Sequence, residues 1–307
     1  MFGLSKKTVS YMGLLFVVLV WGTAPLVTLY FYKYYSPSIR LFFSEVILFV
    51  AYLIMSIKHL DKFNMQYIKA GVPTGLFLAL ANVTQKIGLM YTTPARYAFL
   101  ENLSCITVPI VMYFLIKKKP NFTTILACIL CLTGVGVLNG VSFSNGSWGI
   151  GEILCAFAGL LYGFNIAGTG VFAKKLYAPL YLAVQAAVGM LISLAFSLAL
   201  NFIRFPSASG TLVPIEKIYF SFDYRHIIFT IIYVVIVNAL CWVIRTNSMK
   251  HIEASTVSII MPFSAVVTAT LSVVAGNDVF NFNLLVGGVI VIASIIISSF
   301  GDIKHSE

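Results

Sequence analysis

Apolar residues come in runs of about 20 along this chain, the length needed to cross the hydrocarbon core of a bilayer, and short polar stretches separate them. Read against glycine, proline and charge as breakers, the pattern gives ten candidate spans: 11–31, 38–57, 67–89, 95–115, 122–140, 148–172, 178–201, 226–247, 254–275 and 281–300. Most connections are brief, such as KHLDKFN after the second span and IKKKP after the fourth. Residues 202–225 form the one long connection; it holds two prolines and reads as a surface excursion without assignable chemistry. The expectation is an all-α, polytopic membrane protein with ten transmembrane helices.

Composition agrees: 60% of the 307 residues are hydrophobic and 10% are charged. The net charge of +10 does not point to nucleic acid, because the basic residues sit in clusters between apolar runs and not along one face. With Lys6 and Lys7 in the cytoplasm, that side also collects Lys58, Lys62, Lys69, Lys117, Lys118, Lys119, Lys174, Lys175, Lys250 and Lys304, twelve in all, and the other side only four, Lys33, Arg204, Lys217 and Arg225. This bias places both termini in the cytoplasm, which requires an even number of spans. The expected setting is the cell membrane, inner or plasma, as a monomer or homodimer with lipid and a small-molecule substrate as partners. The first run is long, ends in aromatics and lacks a small-residue cleavage site, unlike a removable signal peptide. Cys105, Cys128, Cys131, Cys155 and Cys241 all fall inside apolar runs, where a buried, reduced, structural role is expected, and no metal or cofactor site is expected.

Five spans precede the linker SFSNGSWG at 142–149 and five follow it, suggesting units at 1–141 and 148–307. The fourth and ninth spans correspond, MYTTPARYAFLENL beside MKHIEASTVSIIMP, as do the first and sixth, each with an aromatic followed by glycine: Trp21-Gly22 and Tyr162-Gly163. An odd number of spans per unit makes the second enter the membrane from the opposite side, a 5+5 inverted repeat of the kind secondary transporters use around a midplane site.

The stretches LVWGTAP, GLMYTTPARYAFLENL with VPIVMYFLIKKKP, GEILCAFAGLLYGFN and IRTNSMKHIEASTVSIIMP resemble the EamA-type branch of the drug/metabolite transporter (DMT) superfamily over nearly the whole chain. The resemblance implies a ten-helix carrier of small metabolites, often amino acids and related compounds, frequently moved outward. It also implies a central cavity built by the first, third, fourth, sixth, eighth and ninth spans. Arg40 and Glu45 in the second span, and Lys86 in the third, depart from the family pattern.

An ionisable side chain near the bilayer centre costs at least about 2.5–3.5 kcal/mol, so it faces a cavity or a partner. Asn82, Gln85 and Lys86 share one helical face and read as cavity-lining, with Lys86 open to pairing with Glu101. Arg96 has two readings, interfacial anchor or substrate contact. Glu101 lies roughly 7.5 Å deeper along the helix and is the first choice for an acid that exchanges a proton during transport, beside Asn102. Glu45 is the second, with an interhelical ion pair as its alternative. Glu152 reads as a helix N-terminal carboxylate. In the eighth span Asn238, Trp242 and Arg245 share a face, where Arg245 would hold a carboxylate or phosphate, or else anchor the helix to headgroups. Trp21, Tyr162 and Asn165 complete the cavity set, and Gln185 is expected to bond between helices. The glycine pairs Gly71/Gly75 and Gly159/Gly163 are expected to serve close packing.

A membrane-embedded enzyme is disfavoured, since His59, His226, His251 and His305 lie in or beside loops and no catalytic pairing is evident. ATP drive on this chain lacks a phosphate-binding loop. Charges of both signs favour an amino acid or amino-acid-like solute, S-adenosylmethionine-type compounds included, with a lipophilic-cation or drug exporter as the alternative.

Overall fold

A computed structural model describes residues 5–31, 33–89, 91–92, 94–117, 119–141, 149–202, 204–206, 212–214, 218–276 and 279–304. The linker at 142–148, parts of the 202–225 excursion and His305 therefore lie outside the described residues. The helices are α1 (Lys6–Phe31), α2 (Pro37–Ser56), α3 (Met65–Leu89), α4 (Pro94–Glu101), α5 (Ser104–Ile116), α6 (Phe122–Leu138), α7 (Ile150–Phe172), α8 (Ala178–Phe202), α9 (Tyr224–Tyr233), α10 (Leu240–Ser248), α11 (Ala254–Ile260), α12 (Phe263–Val274) and α13 (Phe282–Lys304). A π-helical segment, Val234–Ala239, fuses α9 to α10 into one continuous run. Within the excursion, β1 (Arg204–Pro206) pairs antiparallel with β2 (Leu212–Pro214).

Among the described residues, eight helical segments are long and apolar enough to cross a membrane, and α6 is a shorter apolar helix of 17 residues. With 25 residues α3 has the length, but Asn82, Thr84, Gln85 and Lys86 dilute its apolar character. Helix boundaries follow local chemistry. The Asp223 carboxylate accepts from Arg225 N at 2.9 Å to start α9, while α2 begins on Pro37, whose missing N–H costs nothing there. Left-handed residues close α5 at Lys117 (φ 57°) and α12 at Gly276 (φ 73°).

The expected fourth span is two helices. It breaks at Asn102–Leu103, just after Glu101, where Asn102 N and Leu103 N bond three residues back to Phe99 O and Leu100 O. The expected ninth span breaks at the matching place, Met261–Pro262, between α11 and α12. Pro109 inside α5 has no N–H for the Cys105 carbonyl four residues earlier. The Cys128 thiol on α6 stands in, donating to Cys105 O with Sγ at 3.0 Å. One turn on, Cys131 Sγ lies 3.8 Å from Ile259 O beside the second break. Cys128 and Cys131 are buried and free, as are Cys105, Cys155 and Cys241.

The most extensive helix pairings join α6 to α13, α2 to α8, and α3 to both α7 and α8; α1 packs on α10 and α12, and α7 on α5. At one end, Tyr177 N donates to Tyr67 Oη (3.0 Å) and Tyr177 Oη to Met55 O (3.3 Å), joining the α2–α3 and α7–α8 connections. There too Ser248 Oγ donates to Ser10 O (3.2 Å), tying the end of α10 to the start of α1. At the other end, Ser36 N donates to Tyr219 O and Ser221 N to Tyr34 O, strapping residues 219–221 across the α1–α2 turn. Tyr30, Phe31, Tyr34, Tyr35, Phe220 and His226 stack beneath that strap.

Candidate functional site

Two glycines set the position of Glu101. A Cβ on Gly159 would meet the Leu100 carbonyl, and one on Gly163 would meet Thr107, so their absence lets α7 rest directly on the α4–α5 break. One turn of that contact face lies between them, and Tyr162 turns the other way, towards α3. Its hydroxyl is 2.6 Å from Asn82 Oδ1 and 2.8 Å from Gln85 Oε1. A phenol has one hydrogen, so it donates to only one of them; the other amide, rotated about its terminal bond, donates back to it. The Gln85 side chain and the Lys86 charge both act on the Glu101 carboxyl. Asn82, Tyr162 and Gln85 thus form one hydrogen-bonded group beside Glu101. Tyr162 lies within electrostatic range of Glu45 as well. Glu45, on α2, is buried with its carboxylate over Gly189 of α8, where a Cβ would strike it. Asn82, Lys86, Glu101 and Tyr162 are half-buried and keep access to space not filled by protein.

Arg96 and Asn102 are engaged elsewhere. Arg96 Nη1 donates to Glu152 Oε1 at 2.9 Å, which also accepts from Thr92 Oγ1 at 2.8 Å, while Glu152 Oε2 accepts from Gly149 N at 2.9 Å. Glu152 thus caps α7, as expected, and at the same time anchors the start of α4. Asn102 Nδ2 turns back to its own helix at Ala98 O (2.7 Å), satisfying a carbonyl at the break.

A second polar cluster occupies the crossing of α3, α7 and α8. Tyr181 Oη donates to Thr74 Oγ1 (2.7 Å), and Thr74 donates on to Ala70 O (2.7 Å). Gln185 Nε2 reaches both Thr74 Oγ1 (2.8 Å) and Tyr181 Oη (2.9 Å), and Asn165 Nδ2 reaches Thr74 O (2.9 Å). Thr169 Oγ1 lies 3.1 Å from Tyr181 Oη. Gln185 thus bonds between helices, as expected. Arg245 of α10 couples electrostatically to Tyr181. Its guanidinium lies 4.6 Å from the Trp242 ring centroid, and Trp242 meets Trp21 edge-on at 5.4 Å. Trp21 Nε1 donates to Val237 O (3.1 Å) in the π-helical segment that also carries Asn238.

Thr74, Thr169 and Tyr181 escaped the sequence reading. Thr74 lies eleven residues before Gln85, three helical turns, and so extends the polar stripe of α3. Tyr181 and Gln185 are four apart on an apolar helix, a second usable signal. A surface-opening cavity of about 580 Å³ lies elsewhere, lined by Phe99, Leu132, Gly136, Val137 and Asn283 among others, and includes none of the expected cavity residues.

The family model described as EamA-like transporter family matches residues 8–140 and again residues 149–300. No curated protein matches the chain. A solved structure described only as "Crystal structure of protein" is similar over 99% of this chain and 100% of its own, with a TM-score of 0.74 at 13% sequence identity. At that identity the likeness concerns the fold alone.

Proposed function

Because the chain belongs to the EamA-like transporter family, and so is a multi-pass membrane transporter of the DMT type, we propose that it carries an amino acid or amino-acid-like metabolite across the cell membrane by alternating access. The observation that carries the reading is the hydrogen-bonded group of Asn82, Tyr162 and Gln85 beside Glu101 and Lys86, an acid and a base together where three helices meet. A buried polar network of this kind is costly unless it does something for a polar solute. A lipophilic-cation exporter would need acids and aromatics alone; Lys86 and Arg245 speak against it.

Ten passes in two inverted units, 1–141 and 148–307, account for several contacts at once. Trp21 of α1 bonds the π segment and Gly22 lies against α12, while Tyr162 of α7 bonds α3 and Gly163 lies against α5. Exchanging the two units turns each contact into the other. The lysine-bearing connections that meet at one end support a cytoplasmic setting for that end and for both termini, and the outward direction is the one the family favours.

The test is transport in proteoliposomes with labelled amino acids, nucleotides and organic cations. The expected outcome is movement of at least one amino acid, dependent on an imposed proton gradient, with that dependence lost in Glu101→Gln. A folded carrier that moves only organic cations overturns the solute class, and a gradient-independent parent removes the proton role.

A further inference from the structure

The cluster around Arg245 is unfinished. The residue is 2% exposed, yet its Nε and Nη1 have no hydrogen-bond partner. In the same group of contacts Gln185 Oε1 and Asn165 Oδ1 are buried without partners, although Gln185 Nε2 donates to both Thr74 and Tyr181 and Asn165 Nδ2 donates to Thr74 O. Leaving a charged donor buried and unmade is far more costly than leaving a neutral one. The acids Glu101 and Glu152 of the neighbouring helices are committed elsewhere, Glu101 beside Gln85 and Lys86 and Glu152 to Arg96. Meanwhile Trp242 covers one face of the guanidinium and Trp21 braces Trp242, so the planar fork is oriented with its edge left open.

We propose that Arg245 is the docking group for an oxyanion of the transported solute, a carboxylate or a phosphate held in two parallel N–H···O bonds, with Gln185 Oε1 and Asn165 Oδ1 receiving an adjacent N–H. This rests on the transporter reading and sharpens it. Donors and acceptors gathered around Tyr181 and Thr74 match an α-amino-carboxylate head group, and Arg245, not Lys86, binds its anionic end. The cluster is closed in this conformation, so docking follows the opening of α10 against α8 in the transport cycle.

The purified carrier in detergent, with Trp148→Phe to remove the tryptophan outside the pair, is titrated with sodium acetate and separately with sodium phosphate, chloride replaced at constant ionic strength, while tryptophan emission is followed. A saturable change from the Trp21–Trp242 pair is expected with one of the two anions. Acetate alone assigns a carboxylate solute and phosphate alone a phosphorylated one. Arg245→Gln should weaken the response at least tenfold. Arg245→Lys, which keeps the charge and guards against a folding defect, should weaken it as well, because lysine has no fork; Arg225→Gln, which removes an exposed arginine, should leave it unchanged. No saturable response in a monodisperse, helical parent, or a response undiminished from the parent's in Arg245→Gln or Arg245→Lys, overturns the proposal. Anion silence alongside solute movement in proteoliposomes discards Arg245 but keeps the carrier, whereas an anion response without movement of any amino acid keeps Arg245 and discards the solute class.

Discussion

Glu152 collects three donors, Arg96 Nη1, Thr92 Oγ1 and Gly149 N, and its side chain is 5% exposed against 15% for that of Arg96. Removing one partner of such a pair leaves the other charge desolvated and unpaired, at about 3–5 kcal/mol. Arg96→Gln and Glu152→Gln should therefore each lower the thermal unfolding midpoint in detergent clearly. The double variant Arg96→Gln/Glu152→Gln should lose much less than the two losses added; simple additivity would show that the pair is not coupled. The helix-capping half of this arrangement was legible, since a glutamate three residues into a helix is an N-terminal signal. The Arg96 half was not. The partners are 56 residues apart, and a single chain gives no sign of which helix start faces which. The same blindness hid the cluster of Thr74, Thr169 and Tyr181, whose members look like ordinary polar interruptions until three helices cross.

Length and apolarity announced the helices, and their breaks were the hidden part. Both interrupted helices turn within three residues of a proline or a glutamate, and α6 supplies a thiol to each. The cysteines read as bland burial; they are buried, and Cys128 also satisfies a carbonyl whose partner in the helix would be Pro109. Cys128→Ala should cost about 1 kcal/mol by orphaning Cys105 O, within the usual range for a lost hydrogen bond, and Cys128→Ser should recover most of it. Pro109→Ala supplies a backbone N–H to that same carbonyl, so the penalty of Cys128→Ala should shrink in its presence. Thermal denaturation of the four variants decides it: an undiminished penalty would mean that the thiol acts by packing alone.

At the scale of the whole molecule, acid and arginine occupy different depths. Tyr162 marks the Glu101 station and Thr169 the Arg245 station, and seven residues of α7 separate them, roughly 10 Å of helix rise. Along α3 the markers are Gln85 and Thr74, eleven residues apart, or about 16 Å. Charges of both signs were legible in the spans, but their separation depends on how far each helix is inserted, and packing alone determines that. The opposite charges of an α-amino acid, the proposed solute, lie only a few ångströms apart, so it would touch one station at a time and pass between them. The free-energy losses of Glu101→Gln and Arg245→Gln, taken from kcat/KM for one amino acid in proteoliposomes, should then add to within about 0.5 kcal/mol, as for independent sites. A larger coupling would require both charges to grip the solute together. That result would bring the stations into one pocket and replace a two-station path with a single binding site.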